Sequence, residues 1–383
     1  MLHFESNNLT YKLVDLLSIT GEFPTSSLYL VGKERVVKAL VKKLTQFDKI
    51  RSSFAEINTK LLLLSGKGAM KTIKLYKGAI PILEWIGADE YYKWAFRGYN
   101  FPGDVQHKER NFRVAEVAAM CMGAGIEFRP YKLPQLKSEQ NWGALPNYPV
   151  FYSSKVLKLV DKEGMKRVMF SRVVGLMYLG NVGYAVYNTR NAPIKWYGNG
   201  EGKAKWFTTQ IVRANSKTKN LNYNYDNSDV TSAILFGKTD GVALETLNLS
   251  RRKRRLDLRF DDNYQHIYFI PLNELGKRQL KILTVQNWKE KILDALFEPE
   301  VRSYDRGMFE YDALIEGKYI YSFLDGDLAR LKRLKLVLDD GDKKIEVVCY
   351  PHQLTLLRCY LGTAVTFKIL KLSAIEEALG ITN

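Results

Sequence analysis

The chain has 383 residues, of which 46% are hydrophobic and 12% aromatic, a composition typical of a folded globular protein with two or three domains. No apolar run approaches the ~20 residues that span a bilayer, and the first residues lack the basic-then-apolar order of a signal peptide. The formal net charge of +17 favours a polyanionic partner, nucleic acid first and an anionic membrane surface second. We therefore expect a cytoplasmic protein that binds nucleic acid rather than a membrane.

Three widely spaced cysteines, Cys121, Cys349 and Cys359, give neither a disulfide framework nor a Cys-x-x-Cys metal pair. Such usage suits a reducing compartment. Cys121 lies in an apolar helical run, which predicts a buried structural thiol.

Residues 9–75 have the order of elements found in a winged helix-turn-helix. Thr10 can cap a first helix that Gly21 ends, and Pro24 opens a short second helix. Residues 33–47 then predict a third helix, apolar on one side and cationic on the other. This third helix is the one expected to enter a major groove.

A β-hairpin is predicted after the third helix. Residues 61–64 and 72–75 are β-like runs, joined around Gly66, Lys67 and Gly68. Glycine tolerates the positive φ of a tight turn, and the lysine stands at the tip. The hairpin would form the wing.

Cations on the third helix and on the wing are the predicted contacts with double-stranded DNA. They are Lys33, Arg35, Lys38, Lys42, Lys43, Lys67, Lys71 and Lys74. Two alternatives stay open: these lysines form an ordinary solvated face, or the winged helix binds a protein.

The first domain, residues 1–97, is predicted to close with a helix at residues 80–96, and residues 97–104 contain the Gly and Pro of a linker. A second domain, residues 105–215, is predicted as α/β. Its predicted elements are a helix at 107–123, strands at 126–131, 150–160, 168–178 and 183–187, a glycine-rich turn at 198–202 and a helix that reaches 212.

A third domain, residues 229–383, is also predicted as α/β, after an asparagine-rich loop at 215–228. Its predicted strands are 234–236, 266–270, 279–285, a hairpin of 334–338 with 345–350, and 365–370, with helices at 240–247, 288–297 and 351–361. A basic run, Arg251, Arg252, Lys253, Arg254 and Arg255, is a second candidate DNA contact or an exposed loop. A weaker basic run follows at residues 330–335.

Several chemistries are disfavoured. The four histidines include no His-x-His pair, which the commonest relaxases need for their metal. Two acidic groups, Asp257/Asp261/Asp262 and Asp339/Asp340/Asp342/Glu346, could hold Mg²⁺, but the second is typical of a turn. Residues 198–202 lack the lysine-serine ending of a phosphate loop, so neither ATP nor NAD is expected, and no cofactor or metal is assigned.

The order of parts resembles the replication-relaxation proteins of Gram-positive plasmids and integrated conjugative elements. The resemblance covers residues 9–215 and is carried by the winged-helix stretch, the helix at 107–116 and the β-rich block at 171–189. It implies a winged helix followed by a domain related to restriction-endonuclease-like folds.

The chain departs from the sequence pattern expected of an active nuclease in that group. An active nuclease would carry an acidic residue on the strand after the helix and Glu-x-Asp or Glu-x-Lys on the next, but residues 150–155 and 184–187 contain none. The resemblance then implies a domain that kept the fold and lost the cutting chemistry, with Glu116 only a helix residue.

The sequence thus predicts a multi-domain α+β or α/β protein, with a winged helix-turn-helix before a degenerate nuclease-like domain. We expect a double-stranded DNA-binding protein of a plasmid or mobile element that acts in replication, transfer or its regulation, together with replication or transfer proteins; a homodimer is left open. The alternatives are a divergent metal-dependent nuclease or relaxase that uses Asp257, Asp261 and Asp262, and a transcriptional regulator or basic scaffold for proteins.

Overall fold

The computed structural model describes residues 2–6, 8–52, 55–96, 105–128, 149–160, 172–180, 182–193, 198–216, 231–249, 263–303, 309–339 and 343–381. The predicted linker at 97–104, the basic run at 251–255 and the acidic group at 257–262 lie outside these residues. Of the second acidic group, Asp340 and Asp342 also lie outside them.

The described α-helices are α1 (Leu9–Thr20), α2 (Glu34–Leu44), α3 (Asp89–Ala95), α4 (Val105–Ala124), α5 (Ser154–Val160), α6 (Gly198–Ser216), α7 (Asp240–Leu249), α8 (Glu274–Leu283), α9 (Trp288–Leu296), α10 (Leu328–Asp339), α11 (Leu354–Leu361) and α12 (Leu372–Ala378). Short 3₁₀ segments add Thr25–Leu30, Gly68–Met70, Lys77–Ile86, Pro299–Val301 and Pro351–Gln353. None of these described helices is long and apolar enough to cross a membrane.

The described strands are β1 (Leu2–His3), β2 (Glu22–Pro24), β3 (Asp48–Arg51), β4 (Glu56–Thr59), β5 (Leu62–Ser65), β6 (Thr72–Leu75), β7 (Val150–Ser153), β8 (Gly175–Leu179), β9 (Val182–Asn188), β10 (Ser232–Gly237), β11 (His266–Pro271), β12 (Ala313–Ile315), β13 (Lys318–Ser322), β14 (Ile345–Cys349) and β15 (Thr366–Ile369). They form four sheets, so the chain is a mixed α/β protein.

Two small sheets belong to residues 2–96, which we call the N-terminal part. Strand β6 lies between β2 and β5 and is antiparallel to both, which makes a three-stranded sheet behind α1 and α2. Strands β1, β3 and β4 form the second sheet, in which β3 and β4 are inserted between α2 and β5 in the chain. The predicted hairpin of residues 61–64 and 72–75 is confirmed as β5 and β6.

The helices of this part differ in detail from the prediction. Asn8, not Thr10, caps α1, since its side chain accepts a hydrogen bond of 2.8 Å from the Tyr11 N–H. Gly21 ends α1 as predicted, with φ 77°. Pro24 ends β2 and, as predicted, stands at the start of a short second helix, which is the 3₁₀ helix Thr25–Leu30 and not an α-helix.

The central sheet has five strands in the order β11-β10-β9-β8-β7. Strands β7, β8 and β9 are antiparallel neighbours, whereas β10 runs parallel to both β9 and β11. Helix α4 packs against β9, α8 and the N-terminal strand β2. Because β8 is antiparallel to β9 and β10 is parallel to it, the start of β8 and the ends of β9 and β10 meet at one edge of the sheet.

The C-terminal sheet has the order β12-β13-β14-β15, with β13, β14 and β15 parallel. Buried Asp327 joins this part to the central sheet. Its Oδ2 lies 2.7 Å from His266 Nδ1, and its Oδ1 accepts the Ile267 N–H at 3.0 Å. These contacts hold the pKa of Asp327 below its usual range, against the effect of burial.

Three predictions of secondary structure in the last two thirds of the chain were wrong. Residues 279–285 lie largely in helix α8, and the predicted hairpin of 334–338 with 345–350 is helix α10 followed by β14, which pairs in parallel with β13. Of the predicted strand 150–160, the second half is helix α5. Apolar runs of this length fit a buried helix as well as a buried strand, so tertiary packing decides.

Two further corrections concern glycines. The predicted glycine-rich turn at 198–202 opens helix α6 instead. The predicted helix at 80–96 is interrupted at Gly87, whose φ of 64° separates a 3₁₀ segment from α3.

Gly276 supplies a test of the packing between α8 and β11. A Cβ at this position would lie 1.8 Å from the Pro271 carbonyl oxygen, which is backbone and cannot move alone. We expect Gly276→Ala to lower the free energy of unfolding by about 2 to 3 kcal/mol. Gly241→Ala, in the first turn of α7, is the control: its nearest neighbour would be Thr239 Oγ1 at 3.5 Å, so we expect a gain of about 0.5 kcal/mol. Urea denaturation of both variants measures the difference, and equal values would contradict this close approach.

Candidate nucleic-acid interface

Helix α2 exposes all of the cations predicted on it. Val37, Val41 and Leu44 are buried on its inner side. The exposed cations are Lys33, Arg35, Lys38, Lys42 and Lys43. Two of them lie in the last turn, where the helix dipole favours positive charge. The amphipathic pattern thus orients the helix as the sequence predicts.

Most of these cations are available to a ligand. Lys38 Nζ lies 2.5 Å from Glu34 Oε1, but both side chains are more than half exposed, so the pair contributes little stability. Among the described residues, the side chains of Arg35, Lys42 and Lys43 have no ion-pair partner. An incoming anion would therefore displace water rather than a strong internal partner.

The hairpin of β5 and β6 exposes lysines at its tip. Gly66 has φ 78° and a Cβ there would lie 2.3 Å from the Met70 carbonyl oxygen, so the turn requires glycine. Lys67 and Lys71 are exposed beside it, as predicted. Lys74 differs, because it lies half-buried within β6, opposite Glu22 in the strand pairing. It is therefore a weaker candidate for a phosphate contact.

An aromatic and cationic group lies beyond the end of α2 and was missed in the sequence. Lys60 Nζ lies 4.4 Å from the centre of the Tyr76 ring and 5.6 Å from that of Phe47. Phe47 is 65% exposed. The sequence signal was Phe47, an aromatic residue just after a cationic helix. Its partners Lys60 and Tyr76 follow two separate strands, so the sequence did not show the group.

Glu116 is the centre of a buried polar network, although a plain helix residue was predicted. It is 0% exposed on α4. Its carboxylate accepts hydrogen bonds from Ser27 Oγ at 2.6 Å, Asn188 Nδ2 at 3.0 Å and Arg190 Nε at 3.1 Å. Burial, to which the charge of Glu116 adds, raises the pKa of Tyr29 to about 12. A carboxylate inside an apolar helical run was the signal that a partner had to exist.

Arg190 is held in place by several independent contacts. Its Nη1 donates to Glu109 Oε1 at 2.7 Å, its guanidinium lies 5.1 Å from the centre of the Phe112 ring, and its backbone N–H donates to Asn188 Oδ1 at 2.9 Å. It is 5% exposed and has φ 58°, a left-handed conformation that costs energy for a non-glycine residue. The surrounding bonds must offset that cost.

This network also joins the N-terminal part to the central sheet. Ser27 lies in the 3₁₀ segment directly before α2, and Glu22 of β2 accepts a hydrogen bond of 3.0 Å from Asn111 of α4. Polar contacts thus join α4 to β2 and to the 3₁₀ segment that precedes α2.

Other predicted site residues are not brought together. Among the described residues, no group of three or more His, Cys, Asp or Glu side chains could hold a metal ion. The weaker basic run at 330–335 is not a solvated patch: Arg330 is buried and pairs with Asp312 Oδ1 at 2.8 Å and Glu310 Oε2 at 3.1 Å.

Comparison of the chain with models of protein families, with curated proteins and with solved structures finds no match. Function is therefore inferred from the geometry of the chain itself.

Glu116→Gln tests the network without creating a cavity. We expect it to lower the free energy of unfolding by about 3 kcal/mol, because Arg190 loses a buried charge partner. Glu34→Gln is the control, since its exposed pair with Lys38 should contribute less than about 1 kcal/mol. Thermal and urea unfolding of both variants give the values; similar losses would show that the buried pair does not hold the parts together.

Glu201, buried on α6, predicts a pH dependence of stability. Its carboxylate accepts the Arg172 N–H at 2.8 Å, yet burial raises the pKa of Glu201 to about 7. The folded chain keeps this proton at pH values where the unfolded chain has lost it, so the stabilisation is complete below about pH 4 and is lost as the pH rises through about 7.

We expect Glu201→Gln to remove on the order of 2 kcal/mol of the stability difference between about pH 5 and pH 8. Exposed Glu377→Gln is the matched control and should leave the profile unchanged. Urea denaturation across this range provides the measurement. A profile in Glu201→Gln identical to that of the natural chain would contradict the raised pKa.

Proposed function

We propose that this chain is a double-stranded DNA-binding protein whose N-terminal part is a winged helix-turn-helix. Support comes from the order α1, β2, 3₁₀ segment, α2, β5 and β6, in which β3 and β4 are inserted between α2 and β5, and from the sheet order β2-β6-β5. In a winged helix the helix before the hairpin enters the major groove and the hairpin lies along the backbone. Here these elements are α2 and the β5–β6 hairpin.

The observation that carries the proposal is that both elements expose cations without strong internal partners. Helix α2 has 11 residues, which makes it about 16 Å long, and the major groove is about 12 Å wide. Arg35, Lys38 and Lys42 would face the groove. Lys67 and Lys71 would contact backbone phosphates, which position a protein but do not read sequence.

For the central part we propose a nuclease-like fold without cutting chemistry. The order α4, β7, α5, β8, β9, α6, β10, with β10 parallel to β9, supports a restriction-endonuclease-like fold. Strands β7, β8 and β9 contain no acidic residue, and the Glu116 carboxylate is already engaged by Arg190. A role at a replication or transfer origin of a plasmid or mobile element remains the biological setting that this proposal favours.

The first experiment measures binding to random-sequence duplex across a salt series. We expect Lys67→Ala/Lys71→Ala to weaken binding of all sequences and to reduce the slope of log K against log salt by about two, since each lost phosphate contact removes about 0.9. Lys368→Ala/Lys371→Ala is the matched control, because it removes two exposed lysines at the other end of the chain. Its slope should equal that of the natural chain.

Three outcomes separate the alternatives. Equal slopes in the two double variants would contradict the assignment of the wing, and unchanged duplex binding in Lys38→Ala/Lys42→Ala would contradict the assignment of α2. No duplex binding by the natural chain at low salt would contradict DNA binding and favour a basic scaffold for acidic proteins. Mg²⁺-dependent breaks in supercoiled plasmid, lost in Asp261→Ala, would favour the nuclease alternative.

A further inference from the structure

A second group of cations lies at the edge of the central sheet where β8 begins and β9 and β10 end. Arg172 precedes β8, Arg190 follows β9 and Lys238 follows β10. The backbone draws them together: the Thr189 N–H donates to the Phe236 carbonyl at 2.8 Å, and the Lys238 N–H donates to the Arg190 carbonyl at 2.8 Å. Ligands of α/β sheets commonly bind at such an edge, beyond the carboxyl ends of parallel strands.

Helix α4 adds two more arginines to this edge. Arg110 and Arg113 are three residues apart and so share one face of the helix. The Arg113 carbonyl accepts a hydrogen bond of 3.0 Å from Asn188 Nδ2, which fixes this turn of α4 against the end of β9. We call Arg110, Arg113 and Arg172 the arginine edge.

The positive charge here exceeds the negative charge. Five cations converge on three neighbouring carboxylates: those of Glu109 and Glu116 are bonded to Arg190, and that of Glu201 accepts the Arg172 backbone N–H. No carboxylate of the described residues pairs with the side chains of the arginine edge. Arg113 Nε is buried without a hydrogen-bond partner among those residues. Buried donors of this kind cost about 1 to 3 kcal/mol unless an acceptor is supplied.

The electrostatics agree with this geometry. Burial lowers the pKa of both Arg110 and Arg113. The charges of Glu109 and Glu116 oppose this at Arg113, whereas the positive charge of Arg172 lowers the pKa of each arginine further. Burial likewise lowers the pKa of Lys238. Arginine nevertheless stays protonated, so the mutual repulsion persists until an anion offsets it.

We propose that the arginine edge binds a phosphate group, with the guanidinium groups of Arg110, Arg113 and Arg172 as donors. Guanidinium forks bind phosphate oxygens in pairs, which a cluster of lysines on a solvated helix cannot match. The phosphate can belong to the DNA backbone, which would give the protein a second duplex contact beyond α2 and the wing, or to free phosphate. The duplex source rests on the proposed function; the phosphate site itself does not.

Arg172→Ala is the decisive variant, because Arg172 is exposed and its loss should not disturb folding. Two probes are used: a labelled random-sequence duplex, followed by anisotropy across a salt series, and inorganic phosphate, followed by isothermal titration calorimetry. We expect Arg172→Ala to weaken binding of the probe that occupies the site, duplex or inorganic phosphate, by about five- to tenfold at about 0.1 M salt. If the duplex is that probe, the slope of log K against log salt should fall by about one. Arg172→Lys, which keeps the charge, should recover part of the loss.

Arg358→Ala, which removes an exposed arginine from α11, is the matched control and should change neither probe. If Arg172→Ala weakens duplex binding further when it is combined with Lys67→Ala/Lys71→Ala, the result supports a DNA phosphate at the arginine edge. Loss of inorganic phosphate binding alone supports the site with a free phosphate.

The proposal is overturned if Arg172→Ala and Arg113→Ala, each folded by circular dichroism, bind both probes as the natural chain does. If the natural chain binds no duplex at all, the proposed function fails, and the inorganic phosphate arm still decides the arginine edge.

Discussion

The buried pair of Glu116 and Arg190 is the contact on which the relation of the parts depends. A charged pair inside a protein is stable only when nearly every donor and acceptor is satisfied. Here Ser27 comes from the N-terminal part, Glu116 from α4, and Asn188 and Arg190 from the end of β9. Elements distant in sequence must meet in one geometry for the network to form, so the same bonds that satisfy the charges also join the 3₁₀ segment before α2 to α4 and the end of β9.

The cations of the chain fall into two physically different classes. Those of α2 and the hairpin tip are solvated, so they attract a polyanion over a distance that salt screening controls. In the arginine edge, Arg110 and Arg113 are partly removed from water and lie close to the charge of exposed Arg172, so an anion placed among them meets preoriented donors. Solvated lysines suit encounter with a duplex, whereas half-buried arginines suit a defined phosphate position. A net charge of +17 describes neither arrangement by itself.

Local patterns predicted well where short-range physics decides. The amphipathic stripe of α2, the end of α1 at Gly21 and the β5–β6 hairpin depend on periodicity and on glycine at positive φ, and all three were predictable. Prediction was wrong where apolar runs fit either state: α8 and α10 were taken for strands because buried helices and buried strands share composition. Of the candidate site, the lysines of α2 were predictable, since a solvated face is visible as a stripe.

The sequence by itself determined the cationic balance, the amphipathic helix before a hairpin, and the absence of acidic residues from the strands at 150–153, 175–179 and 182–188. Only the tertiary structure decided that Glu116 pairs with Arg190, 74 residues away, and that Arg110, Arg113 and Arg172 share one edge. The reason is physical. Periodicity reports which face of an element is buried, but the partner of a buried charge is set by sheet order and strand direction, which local propensity does not encode.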